Sequence, residues 1–174
     1  MKPVIPMRFR PICLIIAILA LTTSVSTGQN YVVFDSIDQL QSYIEREKDA
    51  TVVINFWATW CKPCIEELPY FQRFSNEMKG GKVKFLYVSL DFRKNLEKGL
   101  IPYIKSKGFP DNVVMLSDPN ANSWIDQVDP TWSGAIPATL IYRNDKKAFY
   151  EKSLSYEDLK TNVQSIINNQ HENN

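Results

Sequence analysis

Two cysteines, Cys61 and Cys64, stand two residues apart just after a run of residues suited to the interior of a sheet. That run, Thr51–Trp57 (TVVINFW), is β-branched and aromatic. It is too continuous for a strand with one wet face, which places it centrally in the sheet. A helix pattern follows over residues 61–79 and stops at Gly80-Gly81. The pair therefore falls where a buried strand turns into a helix. Free N–H groups and the positive dipole end at a helix N-terminus stabilise a thiolate, and Lys62 adds a nearby cation. Cys61 is expected to have a lowered pKa and to act as a nucleophile. Cys64, one turn deeper and less exposed, would resolve the mixed disulfide that results. Pro63 falls in the first turn, where its missing N–H costs little, and it stiffens the loop.

Two other readings compete. A structural disulfide would stabilise little, because a four-residue loop closes almost no chain entropy. Half of a metal site would need a second Cys pair or a well-placed histidine, and neither is present. The chain has three cysteines in 174 residues, too few for a disulfide-stapled scaffold or an all-thiolate zinc site. Its one histidine, His171, lies in a polar tail and is given no role. A formal net charge of +1 offers no case for a nucleic-acid partner, and 44% hydrophobic residues suffice for one buried core.

Residues 1–28 read as an export signal, with a basic start at Lys2, Arg8 and Arg10 and an apolar run over residues 12–21. That run is too short for a bilayer core of about 30 Å. Cleavage is expected just before Gln29, and an uncleaved membrane anchor over residues 11–25 is the alternative. Removing the segment leaves 17 basic against 19 acidic residues and discards Cys13. The mature part, residues 29–174, shows no repeat or dividing linker and reads as one domain.

Its elements alternate. A short strand over residues 31–34 precedes a helix over 36–47, opened by a Ser36/Gln39 capping pair. After the cysteine helix, in which Pro69 should introduce a kink, comes a second buried strand over residues 83–90. A helical stretch within residues 93–107 is broken or kinked at Pro102, and residues 113–116 suit a short strand. Residues 117–136 are loop-rich with a helical turn near 121–127, and hold Trp124 and Trp132 as packing or lid residues. A hairpin over residues 138–151 turns at Asn144-Asp145, and a helix over 155–168 closes the chain. The expected fold class is α/β, a central mixed sheet flanked by helices.

Glu67 lies on the same helix face as Cys64, Leu68 and Phe71, whereas Lys62 and Glu66 belong to the solvent face. A carboxylate bordering an apolar stripe is partly desolvated, which raises its pKa and suits it to accept the Cys64 proton. An ordinary solvated glutamate is the competing reading. Trp60 either flanks the site or is a plain core aromatic.

Residues 56–69, FWATWCKPCIEELP, resemble the FWATWCxPCxxExP pattern of exported TlpA/ResA-like thiol-disulfide reductases in the thioredoxin superfamily. Ile136-Pro137-Ala138-Thr139 is similar to the family's cis-proline loop, and the segment between Asp91 and Ile136 to its central insertion. The resemblance implies a thioredoxin-like fold with an N-terminal strand-helix extension, a Cys61–Cys64 disulfide and an active-site role for Glu67. It also implies a cis Pro137 facing the cysteines, which would free the Ile136 backbone to pair with an extended substrate strand. Plain thioredoxin carries a buried aspartate where this chain has Asn55, so proton handling shifts to Glu67.

The expected activity is reduction of disulfides in proteins of the bacterial cell envelope, without a cofactor and as a monomer. Apocytochrome c is one such target, which the sequence does not select. The resemblance further implies recharging by a membrane thiol-disulfide electron donor in an oxidising, periplasmic compartment. A disulfide oxidase or isomerase, a redox-inactive binding module and a thiol metallochaperone are the alternatives.

Overall fold

The computed structural model describes residues 31–47, 49–109 and 112–168, so the export signal expected over residues 1–28 and His171 lie outside the described residues. Six strands form one mixed sheet: β1 (Val32–Phe34), β2 (Thr51–Trp57), β3 (Val83–Ser89), β4 (Val113–Leu116), β5 (Ala138–Arg143) and β6 (Lys146–Tyr150). Their order is β1-β4-β3-β2-β5-β6. The pairs β1/β4, β4/β3 and β3/β2 are parallel, while β2/β5 and β5/β6 are antiparallel.

All seven residues of β2 are buried, as its composition demanded. Its side chains alternate between two cores. Val52, Ile54 and Phe56 face the layer built by α1 (Ile37–Ile44) and α4 (Ala121–Val128). Val53 and Trp57 face the layer of α2 (Lys62–Glu77), α3 (Ile101–Lys107) and α5 (Tyr156–Asn168). Phe56 and Phe71, one in each core, are essentially unexposed. Such a side chain contributes roughly 1.5–3 kcal/mol by leaving water. By the same alternation Asn55 points toward α2, which matters for the site.

Several local readings are refined. The Ser36 hydroxyl accepts from the Gln39 N–H at 3.4 Å, but Gln39 returns its bond to the Asp35 N–H rather than to Ser36. Helix α1 ends at Ile44, short of residue 47. Helix α2 continues through Pro69, whose missing N–H leaves the Ile65 carbonyl without its usual helical donor. The stretch after β3 is a 3-10 turn at Arg93–Asn95 and a wider π-type turn at Leu96–Leu100, with Pro102 placed at the start of α3. Arg143 pairs with Lys146, one residue earlier than the hairpin pattern suggested, and Asn144 takes φ 54° in the turn. The loop-rich segment holds a full helix, α4, and both of its tryptophans are buried. Trp124 and Trp132 meet edge-on at 5.6 Å, and Trp132 also packs on Phe56. They are core residues of the face opposite α2.

Candidate active site

Strand β2 delivers the chain to the C-terminal edge of the sheet, where residues 58–61 turn into α2. Cys61 is the N-cap, with extended backbone (φ −88°, ψ 99°), and its sulfur accepts from the Cys64 N–H at 3.3 Å. Cys61, the expected nucleophile, is thus also the helix cap, so the helix end acts on its sulfur through a direct bond as well as through its dipole. Cys61 and Cys64 are joined as a disulfide, with Cys64 fully buried and Cys61 5% exposed. Pro63 sits in the first helical turn. Lys62 is exposed and faces Glu66 at 3.9 Å, a solvent-side pair one turn apart. Trp60 projects into solvent at 59% exposure, which removes the core-aromatic reading.

Opposite the pair, the Ile136–Pro137 peptide is cis, and the Ile136 carbonyl oxygen lies 3.6 Å from the Cys61 sulfur. The loop that presents it is tied from behind. Trp132 Nε1 donates to the Ala135 carbonyl at 2.8 Å, and the Glu151 carboxylate accepts from the Ser133 N–H, the Ser133 hydroxyl and the Ala135 N–H.

Glu67 is buried, at 2% exposure. Oε1 accepts from Asn55 Nδ2 at 2.8 Å, and Oε2 accepts from the Leu154 N–H at 2.8 Å. Burial pushes its carboxyl up to about 7; the Leu154 and Asn55 bonds pull the other way and only soften that rise. The solvated-glutamate reading is therefore overturned by burial. The same helix spacing that put Glu67 beside Cys64 on paper puts it one turn further along α2, on the inner face.

Three contributors were not foreseen. Asn55 figured only as a missing acid, yet it is a donor to Glu67. The Leu154 N–H arrives from the segment before α5, 87 residues away in sequence, which no local pattern reveals. Glu151 follows β6, and its spacing of 16 and 18 residues from its partners carries no periodic signal. Among the described residues no group of three or more His, Cys, Asp or Glu side chains is placed to hold a metal.

A mixed sheet whose central strand leads into a Cys-x-x-Cys helix N-terminus, faced by a cis-proline loop, defines the thioredoxin-like class. The model of the AhpC/TSA family matches residues 34–148, and the chain belongs to that family, with TlpA/ResA-like character. The chain is 40% identical over 57 residues to thiol-disulfide oxidoreductase ResA of Oceanobacillus iheyensis, covering 33% of this chain and 30% of that protein. It is 29% identical over 145 residues to ResA of Geobacillus thermodenitrificans, covering 81% of this chain and 76% of that one. The crystal structure of a DsbF homologue from Corynebacterium diphtheriae superposes with a TM-score of 0.58 at 21% identity, over 70% of this chain and 75% of that one. The chain spans only 30% to 54% of the length of several curated relatives it matches.

Proposed function

We propose that this protein is a thiol-disulfide oxidoreductase that reduces disulfides of cell-envelope proteins. The observation that carries the reading is one helix bearing three groups in order: a capping sulfur at Cys61, a buried sulfur at Cys64, and a buried carboxyl at Glu67 with its pKa near 7. In the reduced protein the Cys61 thiolate attacks one sulfur of a substrate disulfide. That S–S bond breaks, a Cys61–substrate disulfide forms, and the other substrate sulfur leaves as a thiolate that is protonated from water. The Cys64 thiol then gives its proton to the Glu67 carboxylate and attacks the Cys61 sulfur. The second substrate sulfur is released, and the Cys61–Cys64 disulfide is left behind. Two electrons pass to the substrate.

Ile136 offers its backbone beside Cys61, which suits an extended substrate segment paired edge to edge. A membrane dithiol carrier returns the two electrons and restores the reduced pair. An extracytoplasmic location fits the basic and apolar leader over residues 1–28 and relatives named as ResA. Among the described residues no helix is long and apolar enough to cross a membrane.

Trapping tests the reading. A Cys64→Ala variant expressed with its leader should accumulate mixed disulfides through Cys61, and their partners name the substrates. Absence of any Cys61-linked species, while the wild-type pair cycles between thiol and disulfide, would contradict the scheme.

A further inference from the structure

Asp91 lies two residues beyond β3 and is 2% exposed, and the thiol-disulfide steps above make no use of it. Its bonds converge on one place. Oδ2 accepts from the Thr59 N–H at 3.0 Å and from the Ser89 hydroxyl at 2.8 Å, and Oδ1 accepts from the Thr59 hydroxyl at 2.6 Å. Ser89 is itself fully buried, and its oxygen accepts from the Asp91 N–H at 3.1 Å. One carboxylate therefore holds Thr59 by both backbone and side chain.

Thr59 stands at the corner between β2 and α2, two residues before Cys61. The sheet ladder ends at Trp57, paired with Ser89, so it does not hold this corner. What does hold it is the Leu90 N–H on the Trp57 carbonyl at 2.8 Å, the two Thr59 bonds to Asp91, and the Cys61 N–H on the Ala58 carbonyl at 3.1 Å. The capping geometry that puts the Cys61 sulfur on the Cys64 N–H depends on the path of these few residues.

We infer that Asp91 is a positioning residue which, through Thr59, locks the strand-to-helix corner and thereby keeps the Cys61 sulfur in its capping position when the pair is reduced. This rests on the reading of Cys61 as the attacking thiol. A loosened corner lets the sulfur leave the Cys64 N–H, the thiolate loses that bond, and less of it is present at neutral pH. Charge and position must be separated, because replacing Asp91 also alters the charge near the sulfur. Thr59 offers the separation. Thr59→Val keeps the shape and removes the hydroxyl donor, and Thr59→Ser keeps the donor. Both retain the charged groups around the pair: Lys62, Glu66 and Glu67 on α2, and Asp91 itself.

The experiment follows the pH dependence of iodoacetamide alkylation at Cys61, located by peptide mapping, in the full chain carrying Cys64→Ala. Thr59→Val should raise the apparent Cys61 pKa and slow alkylation at pH 7 by roughly three- to tenfold, the range expected for a weakened helix cap. Thr59→Ser should stay within about twofold of the parent, since its hydroxyl still reaches the carboxylate. A Thr59→Val profile that overlays the parent overturns the inference, whatever its melting temperature does. If Thr59→Val does not fold, Ser89→Ala removes another donor to the same carboxylate and must shift the profile in the same direction, or the inference fails. Alkylation needs no protein substrate, so this outcome is independent of whether trapping succeeds.

Discussion

The side-chain amide of Asn55 donates to the Glu67 carboxylate at 2.8 Å and so joins the central strand to the helix that carries both cysteines. Its second amide hydrogen points to Thr139 Oγ1 at 3.3 Å, and Asn55 Oδ1 is buried without a hydrogen-bond partner. With both hydrogens engaged, the amide presents itself as a donor, which suits an ionised Glu67. Once Glu67 takes up a proton it becomes a donor, and the acceptor it needs is the unused Oδ1, one amide flip away. The pair can accommodate both states of a proton-transfer group.

Glu67 should make stability fall as pH rises. Its folded pKa is about 7 against 4.5 for an unperturbed glutamate, so between those values the folded chain binds more protons than the unfolded one. Its contribution is complete below about pH 4.5 and lost by about pH 7, on the order of 3 kcal/mol across the window. Glu67→Gln should remove that slope, because glutamine does not titrate, while it can still accept from Leu154 and donate to Asn55 Oδ1 to keep the site packed. Denaturant unfolding of both proteins at pH 5 and pH 8 checks this; equal slopes in the two would refute it.

Asn55→Ala removes one of the two bonds that restrain the Glu67 pKa. The carboxyl should then titrate above about 7, and the pH at which Cys64-dependent resolution becomes fast should move up with it. Infrared titration of the buried carboxyl in wild type and variant reads the shift directly.

Glu151 is the brace of the proline loop, so its removal should affect grip rather than chemistry. Glu151→Ala releases the Ser133 and Ala135 N–H groups, and KM for a protein disulfide should rise by roughly three- to tenfold. The rate with a small aromatic disulfide should stay near the wild-type value, because that substrate does not use the Ile136 edge. The Ser133 hydroxyl holds the Glu151 carboxyl below its usual range, and the Ser133 and Ala135 N–H groups add to this. The brace is therefore intact at neutral pH and is lost as pH falls through that lowered value. Steady-state kinetics with the two substrates decides the matter.

Trp124 should serve stability alone. It is buried between α4 and the sheet against Trp132, on the face away from Glu67. Trp124→Ala should cost about 3–5 kcal/mol through the cavity it leaves. Cys61 alkylation in the folded variant should be unchanged. A marked change in that rate would mean the two faces of the sheet are coupled.

Most of this architecture was legible in the sequence because its signals are local. The unbroken TVVINFW run announced a doubly covered strand, and the Cys61–Glu67 spacing put the three candidate site groups along one helix and its cap. Positions set by distant chain were not legible. Leu154 reaches Glu67 across 87 residues, and Asp91 meets Thr59 across 32, through strand order rather than periodicity. Residues 121–127 suggested only a helical turn within a loop-rich stretch, and burial of Trp124 and Val128 makes it the helix α4 over Ala121–Val128. Asn55 illustrates a subtler gap: its amide was visible as the loss of an acid, and only the fold showed it as the partner of another.

The central claim, that Glu67 takes the Cys64 proton as the mixed disulfide is resolved, is tested most directly by single-turnover kinetics. The reduced protein is mixed with a disulfide, and the second release step is followed from pH 5 to pH 9. The wild-type rate should rise with pH through a midpoint near 7, the Glu67 value. In Glu67→Gln that midpoint should vanish and the rate at pH 7.5 should fall by roughly 10²-fold, the lower range for loss of a general base. Superimposable profiles for the two proteins would contradict the account.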